Sequence, residues 1–296
     1  MMGRRRLLSS YQSGVLQSVR IGNHQEIKFK SSGDDDTTVK NSNKYTMVCL
    51  HGAPGSHRDF RHFLAAFDDQ NLRILALDLP GYGQTSIKAT KSATGPALAD
   101  CVVEFLDAMG LRNNVILVGH SFGGLLAMEV AAKEADRSRI AGLVLLCSAG
   151  LRPHRSLRPF RGLQLLTYLI EHPWTRPVFL PFTRFLYVRL FGFPSRTSLT
   201  DVLHAQLWIA HTNFDRIGRE LIPKLQKYPL LGAYTKNDPL VETSVSKELY
   251  DQFPEQRKRI LEFETGRHNI QKAKAPELAQ WIAKLVREDH FDRSRT

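Results

Sequence analysis

The chain predicts an α/β fold with a mostly parallel central sheet flanked by helices. Two observations carry this. Short apolar runs of strand length alternate with amphipathic stretches of helix length. Several of the runs also end directly in glycine-bearing loops, as strands do at the open edge of such a sheet.

The elements follow in order. Residues 18–30 read as a hairpin: Val19 and Ile21 alternate with polar residues, Gly22-Asn23 makes the turn, and Ile27 and Phe29 keep the period of two. Residues 31–44 form a polar loop. Tyr45 to Leu50 is a buried strand that ends in His51-Gly52-Ala53-Pro54-Gly55. Phe60, Phe63, Leu64 and Phe67 share one helical face. The strand Ile74 to Leu77 ends in Asp78-Leu79-Pro80-Gly81-Tyr82-Gly83. A helix runs from near Thr94, with Pro96 in its first turn, to about Met109. The apolar run Val115 to Val118 leads into Gly119-His120-Ser121-Phe122-Gly123-Gly124, and a helical pattern follows through Leu125, Leu126, Met128 and Val130. Ile140 to Cys147, Leu230 to Tyr234 and Ile260 to Phe263 are further strands. Pro276 opens a last amphipathic helix through Leu278, Ile282 and Leu285.

Residues 151–228 break the alternation. They read as several short helices punctuated by prolines, inserted between two strands as a cap. Their apolar stripe (Leu163, Leu166, Leu169, Ile170, Phe179, Phe182, Phe185, Leu186) is expected to serve packing. The division is therefore a basic tail or transit peptide at 1–16, a core at 17–150, the cap at 151–228, and the rest of the core at 229–296.

The 296 residues allow one large domain with such an insertion. No run reaches the ~18 apolar residues that a spanning helix needs. Cys49, Cys101 and Cys147 fall in apolar elements and read as buried free thiols of a reducing compartment, with no signal-peptide core. A cytoplasmic location is expected, with a mitochondrial one as the alternative because residues 1–15 are rich in Arg and Ser and lack acids. The net charge of +12 is concentrated: residues 151–228 hold twelve basic and four acidic side chains. A solvated basic face is the plain reading. Contact with an anionic membrane surface or an acidic substrate is the sharper one, and Arg184 and Arg189, which flank Phe185, Leu186 and Tyr187, point to the lipid surface. No module for nucleic acid is present.

The chemistry centres on Ser121. A strand that passes through Gly-x-Ser-x-Gly into a helix forms a nucleophile elbow, so tight that the positions two before and two after the serine must be almost without side chains. A serine hydroxyl needs a base, and the base needs an orienting partner. Asp238, in Thr235-Lys236-Asn237-Asp238-Pro239, and His268, in Thr265-Gly266-Arg267-His268-Asn269, each follow a strand. Glu242 and Glu264 are other carboxylates, and His51, His120, His172, His204 and His211 are other imidazoles. His51 is expected to brace the loop after it and His120 to point away from the nucleophile; His172, His204 and His211 read as surface or packing residues, with substrate contact the alternative for His211. The backbone N–H groups of Ala53 and Phe122 are the expected oxyanion donors. Gly81-Tyr82-Gly83 lacks the third glycine of a dinucleotide fingerprint, because position 86 is Ser86, so no cofactor is expected. No metal-ligand spacing is present.

From about residue 17 to residue 287, these motifs resemble the α/β-hydrolase fold superfamily in order and spacing. The resemblance implies a triad of Ser121, Asp238 and His268, with oxyanion donors at Ala53 and Phe122. Epoxide hydrolases and haloalkane dehalogenases of that superfamily carry aspartate where this chain has Ser121. Proline iminopeptidases carry a second glycine and a tryptophan where it has Ala53 and Phe122. The expected activity is a serine hydrolase that cleaves a carboxylic ester or related acyl bond of a small-molecule or lipid-like substrate. The alternatives are a C–C bond hydrolase, thioesterase or acyltransferase on the same residues, or a non-catalytic binding protein.

Overall fold

The computed structural model describes residues 15–22, 25–31, 45–67, 72–90, 92–288 and 290–291. The basic N-terminal segment through residue 14, residues 32–44 of the polar loop and Asn23 of the hairpin turn lie outside them. Among the described residues eight strands make one sheet. They are β1 (Gln17–Ile21), β2 (Gln25–Ser31), β3 (Tyr45–Leu50), β4 (Leu72–Leu77), β5 (Val115–His120), β6 (Ile140–Leu146), β7 (Leu230–Thr235) and β8 (Lys258–Phe263). Their order is β1-β2-β4-β3-β5-β6-β7-β8. β2 runs antiparallel to β1 and β4, and the other neighbours are parallel.

The pattern of burial explains the pattern of sequence. Every residue of β5, β6 and β7 is buried, so these strands read as continuous apolar runs rather than alternations. β8 lies at the edge and starts at Lys258, two residues before the strand expected from Ile260. Its polar start gives no hydrophobic signal because that edge meets water. β6 stops at Leu146, which leaves Cys147 just past the strand end with a positive φ of 43°.

The longer helices are α1 (Arg61–Ala66), α2 (Gly95–Ala108), α3 (Phe122–Lys133), α4 (Phe160–Glu171), α5 (Arg176–Arg189), α6 (Leu199–Ala210), α7 (Thr243–Tyr250) and α8 (Ala275–Arg287). All of α3 except Lys133 is buried, as a helix that is apolar all round requires. In α8 only one stripe is buried, with Leu278, Ile282 and Leu285 spaced by a helical turn. Chain order places β4 on one side of β3 and β5 on the other. The crevice at the carboxyl ends of β3 and β5 is thus a topological switch point, where ligands of open parallel sheets bind.

Between β6 and β7 stand α4, α5 and α6. These are helices of 12, 14 and 12 residues, longer than the short pieces that the prolines suggest. Pro177 sits in the first turn of α5, where its missing N–H costs nothing, and Pro181 is carried inside the helix. The expected packing stripe divides three ways. Ile170 is in the core, Leu163, Leu166 and Leu186 line a cavity, and Phe182 and Phe185 are exposed. Leu186 and Tyr187 face inward, and Arg184 donates to the carbonyls of Thr197 (2.7 Å) and Ser195 (2.5 Å), so the expected Arg184–Arg189 bracket does not form as such.

The insertion is tied down at both ends. Arg152, Arg155 and Arg158 converge on Glu242 beyond β7. Arg216 grips Glu129 of α3 through both terminal guanidinium nitrogens, with Nη2 donating to Oε2 at 3.1 Å. Glu129 is 6% exposed, so losing its partner would strand a buried carboxylate. Removing one member of a buried pair costs about 3–5 kcal/mol, and less here because Arg216 is partly in water. Arg216→Met should lower stability by about 1–3 kcal/mol in urea titrations, and Glu129→Gln added to it should recover part of the loss.

Candidate active site

The loops after β3, β4, β5, β6, β7 and β8 all leave the same edge of the sheet, because those strands are parallel. That brings His51-Gly52-Ala53, Asp78, Ser121, Cys147, Asp238 and His268 into one neighbourhood, although they span more than two hundred residues of sequence.

Ser121 occupies the turn between β5 and α3 with φ 56° and ψ −123°, a region that costs a non-glycine residue about 1–3 kcal/mol. Three backbone bonds hold it there. Its N–H donates to Leu146 (3.0 Å), and its carbonyl accepts from Gly124 (2.9 Å) and Ala149 (3.2 Å). The glycines are obligatory. A Cβ on Gly119 would lie 2.3 Å from the Gly123 carbonyl oxygen, and one on Gly123 would lie 2.1 Å from that of Leu50. Gly124 is equally confined, 2.1 Å from the Ser148 hydroxyl.

The carboxylate and the imidazole meet as expected: His268 Nδ1 donates to Asp238 Oδ2 at 2.7 Å. The other carboxylate oxygen accepts from the N–H groups of Leu240 (2.8 Å) and Val241 (3.0 Å). Burial works against ionisation of Asp238, but the bond and the charge of His268 and these two amides outweigh it. The carboxyl is held below its ordinary value. The competing acids are used elsewhere, Glu242 on the three arginines and Glu264 on Lys236.

Several supports of His268 are invisible in the sequence. His120 Nε2 donates to the His268 carbonyl at 3.0 Å, and the two rings lie 4.8 Å apart. Asn237 Oδ1 accepts from the Arg267 N–H at 2.9 Å, and Thr235 Oγ1 donates to the Arg267 carbonyl at 3.0 Å. The His120 ring, next in sequence to Ser121, is thus turned toward the backbone of His268. Among the other histidines, His204 bonds the Gly81 carbonyl, while His211 lies exposed on the Leu207 carbonyl and is not part of the cavity lining.

His51 braces its loop. Its Nε2 accepts from the Leu79 N–H at 3.1 Å, which leaves Nδ1 to donate to the Gly52 carbonyl at 2.7 Å. In a trans peptide the C=O and N–H point opposite ways, so this grip also sets the direction of the Ala53 N–H. Asp78 ties the neighbouring loops. It accepts from the backbone N–H and ring Nδ1 of His57 (both 2.8 Å) and from the Gln84 N–H (2.9 Å).

Ser121 and His268 line two adjoining cavities. One, of about 220 Å³, is walled by Phe122, Leu157, Leu163, Leu166, Leu186 and Ile209 and is covered by α4, α5 and α6. The other, of about 430 Å³, carries Asp59, Arg196, Asp201 and Lys272. The donor atoms of Cys147, Asp238 and His268 lie within 4.8 Å of one another, the one group among the described residues that could hold a metal ion. Its atoms are engaged with one another. The Cys147 thiol is pushed far up by burial and then by Asp238, so it is neutral, and His268 Nδ1 is already bonded to Asp238.

Two buried imidazoles give the site a pH signature. Burial, and then repulsion by His268, lower His120 to about 3 and His154 to about 4. Both fall below the ordinary value, so the unfolded chain takes up their protons first on acidification. Stability is then full above about pH 6.5 and falls toward pH 4, by about 1.4 kcal/mol per pH unit for each histidine. Urea midpoints at pH 7.5, 6 and 5 should show this slope, and His154→Gln should remove one histidine's share of it.

Comparison with known proteins agrees with this architecture. A thermophilic esterase from Thermogutta terrifontis superimposes with a TM-score of 0.70 over 94% of this chain and 100% of its own, at 18% identity. That likeness is one of fold alone. Uncharacterized protein F35H12.5 of Caenorhabditis elegans is 25% identical over 190 residues, which cover 62% of this chain and 51% of the relative. The monoacylglycerol lipase abhd6-A of Xenopus laevis is 30% identical over 147 residues, 47% of this chain and 43% of its own. The chain thus spans about half the length, or less, of these two curated relatives. The family described as alpha/beta hydrolase of unknown function (DUF1057) matches residues 13–294, nearly the whole chain, and the protein belongs to this α/β-hydrolase family.

Proposed function

We propose that the protein is a serine hydrolase of carboxylic esters or related acyl bonds, acting through Ser121, His268 and Asp238. The observation that carries this reading is the strained Ser121 turn opening onto the same cavity as an imidazole already bonded to a buried, ionised carboxylate. In this reading Ser121 Oγ attacks the substrate carbonyl carbon and gives its proton to His268 Nε2. Asp238 keeps the other ring proton on Nδ1 and stabilises the imidazolium. The carbonyl oxygen takes the electron pair and is met by the N–H groups of Phe122, at the positive end of α3, and Ala53. Collapse of that adduct breaks the bond to the leaving oxygen, which takes the proton from His268. Water then repeats the sequence on the acyl-enzyme and restores Ser121.

The two cavities support an ester with unlike ends. An apolar acyl chain fits the 220 Å³ cavity beneath residues 151–228, which act as a cap in this reading. The polar end and the incoming water fit the 430 Å³ cavity, and this access for water favours hydrolysis over acyl transfer. Monoacylglycerol, the substrate class in the name of the abhd6-A relative, has that shape. Cys49 and Cys147, buried and outside any disulfide, support a reducing compartment such as the cytoplasm. No helix among the described residues is long and apolar enough to cross a membrane.

Three measurements test the reading. Ser121→Ala should abolish labelling by a fluorophosphonate probe, and Asp238→Asn should lower kcat by about 10⁴ with the fold retained. Persistent labelling of the Ser121 variant would refute the assignment. Across p-nitrophenyl esters of increasing length, kcat/KM should rise by about fourfold per added methylene and then fall once the cavity is full. A preference for matched thioesters would point to a thioesterase.

A further inference from the structure

Helix α5 is apolar on two opposite faces. Leu180, Thr183 and Tyr187 are buried, and Leu186 lines the cavity that reaches Ser121. On the other side Val178, Phe182 and Phe185 repeat at a helical spacing and stand in water, the two phenylalanines 50% and 56% exposed. At the turn before α5, Trp174 is 87% exposed between Pro173 and Pro177. On α4, which packs beside α5, Leu165 and Tyr168 are exposed as well. A helix without a polar face is covered on both sides in a stable protein, and a patch of this kind marks a surface with a partner.

The charge around it identifies the partner. Residues 155–200 contain seven arginines and a single acid, Glu171. Arg155 and Arg158 are spent on Glu242, and Arg176 and Arg184 on backbone carbonyls. Arg161 on α4 and Arg189 on α5 are exposed and have no carboxylate partner among the described residues, and Arg196 lines the polar cavity. A second copy of the chain would bring the same positive segment against itself, which the charge opposes. An anionic surface that accepts aromatic side chains satisfies both features: tryptophan, tyrosine and phenylalanine at the headgroup level, arginines against lipid phosphate.

We propose that the outer face of α5, with the adjoining turn and α4, docks the protein onto an anionic lipid bilayer. The protein lies on the membrane, with α5 as a wall between lipid and cavity. Arg158, Pro159 and Gly162, the exposed part of the cavity lining beside α4, then mark where an acyl chain enters from the membrane side. That route rests on the ester-hydrolase reading, whereas the docking itself does not.

The test is co-sedimentation of the full chain with phosphatidylcholine vesicles, with and without phosphatidylglycerol. Binding is expected on the anionic vesicles, with a blue shift of tryptophan emission that Trp174→Phe removes. Phe182→Ser with Phe185→Ser should weaken binding by on the order of tenfold or more. Arg161→Glu and Arg189→Glu should each cost about fivefold or more at low salt and lessen the salt dependence. The phenylalanine variant should keep the thermal midpoint and the short-chain p-nitrophenyl esterase rate of the parent, which separates lost docking from lost folding. Ser121→Ala should bind vesicles as the parent does, so failure of the catalytic reading leaves the docking result intact. Absence of binding to either vesicle, or binding indifferent to the two phenylalanines, would overturn the proposal. So would a dimer in sedimentation velocity that the phenylalanine variant dissociates.

Discussion

The site depends on the close approach of α3 to the ends of β3 and β5. Backbone meets backbone there with no room for a methyl group at Gly119 or Gly123. That contact forces Ser121 into a left-handed conformation and places its side chain at the mouth of the sheet. The strain is carried by the core around it: α3 is buried along almost its whole length, and β5 is buried on both faces. A looser helix would let the turn relax and the serine retreat. Stability of the core and presentation of Ser121 to the cavity are therefore one property.

Around that turn the loops are woven rather than merely adjacent. His120, one residue before the serine, holds the backbone of His268 from 148 residues away. Asn237, one residue before Asp238, holds the backbone of Arg267. His268 is thus positioned by neighbours of both Ser121 and Asp238, so its orientation draws on three strand ends. His51 performs the same service for the peptide that carries the Ala53 N–H. The cavity is completed from the far side by α4, α5 and α6, which are fastened to the core through Glu242 and Glu129.

Local patterns carried much of this. The sheet was legible because buried parallel strands are short, continuous and apolar, and the elbow was legible because glycine alone satisfies its spacing. Asp238 and His268 were legible as residues after strands, and Glu242 stayed open as an alternative until its three arginines were seen. The helical insertion was legible as a break in the alternation. Its orientation was not: Leu186 and Phe185 are adjacent and equally apolar, yet one lines a cavity and the other meets solvent. Hydrophobicity does not say which apolar face of a helix finds the core when both could.

Sequence by itself determined the fold class, the elbow and the residue types of the site, because each follows from short-range steric and hydrophobic rules. Tertiary structure alone decided which carboxylate meets the imidazole, which backbone atoms hold that imidazole in place, and that Cys147 lies against the pair. It also decided that α5 has two apolar faces with different surroundings. These depend on strand order and on how neighbouring strands align, which bring together groups whose separation along the chain carries no mark of their contact.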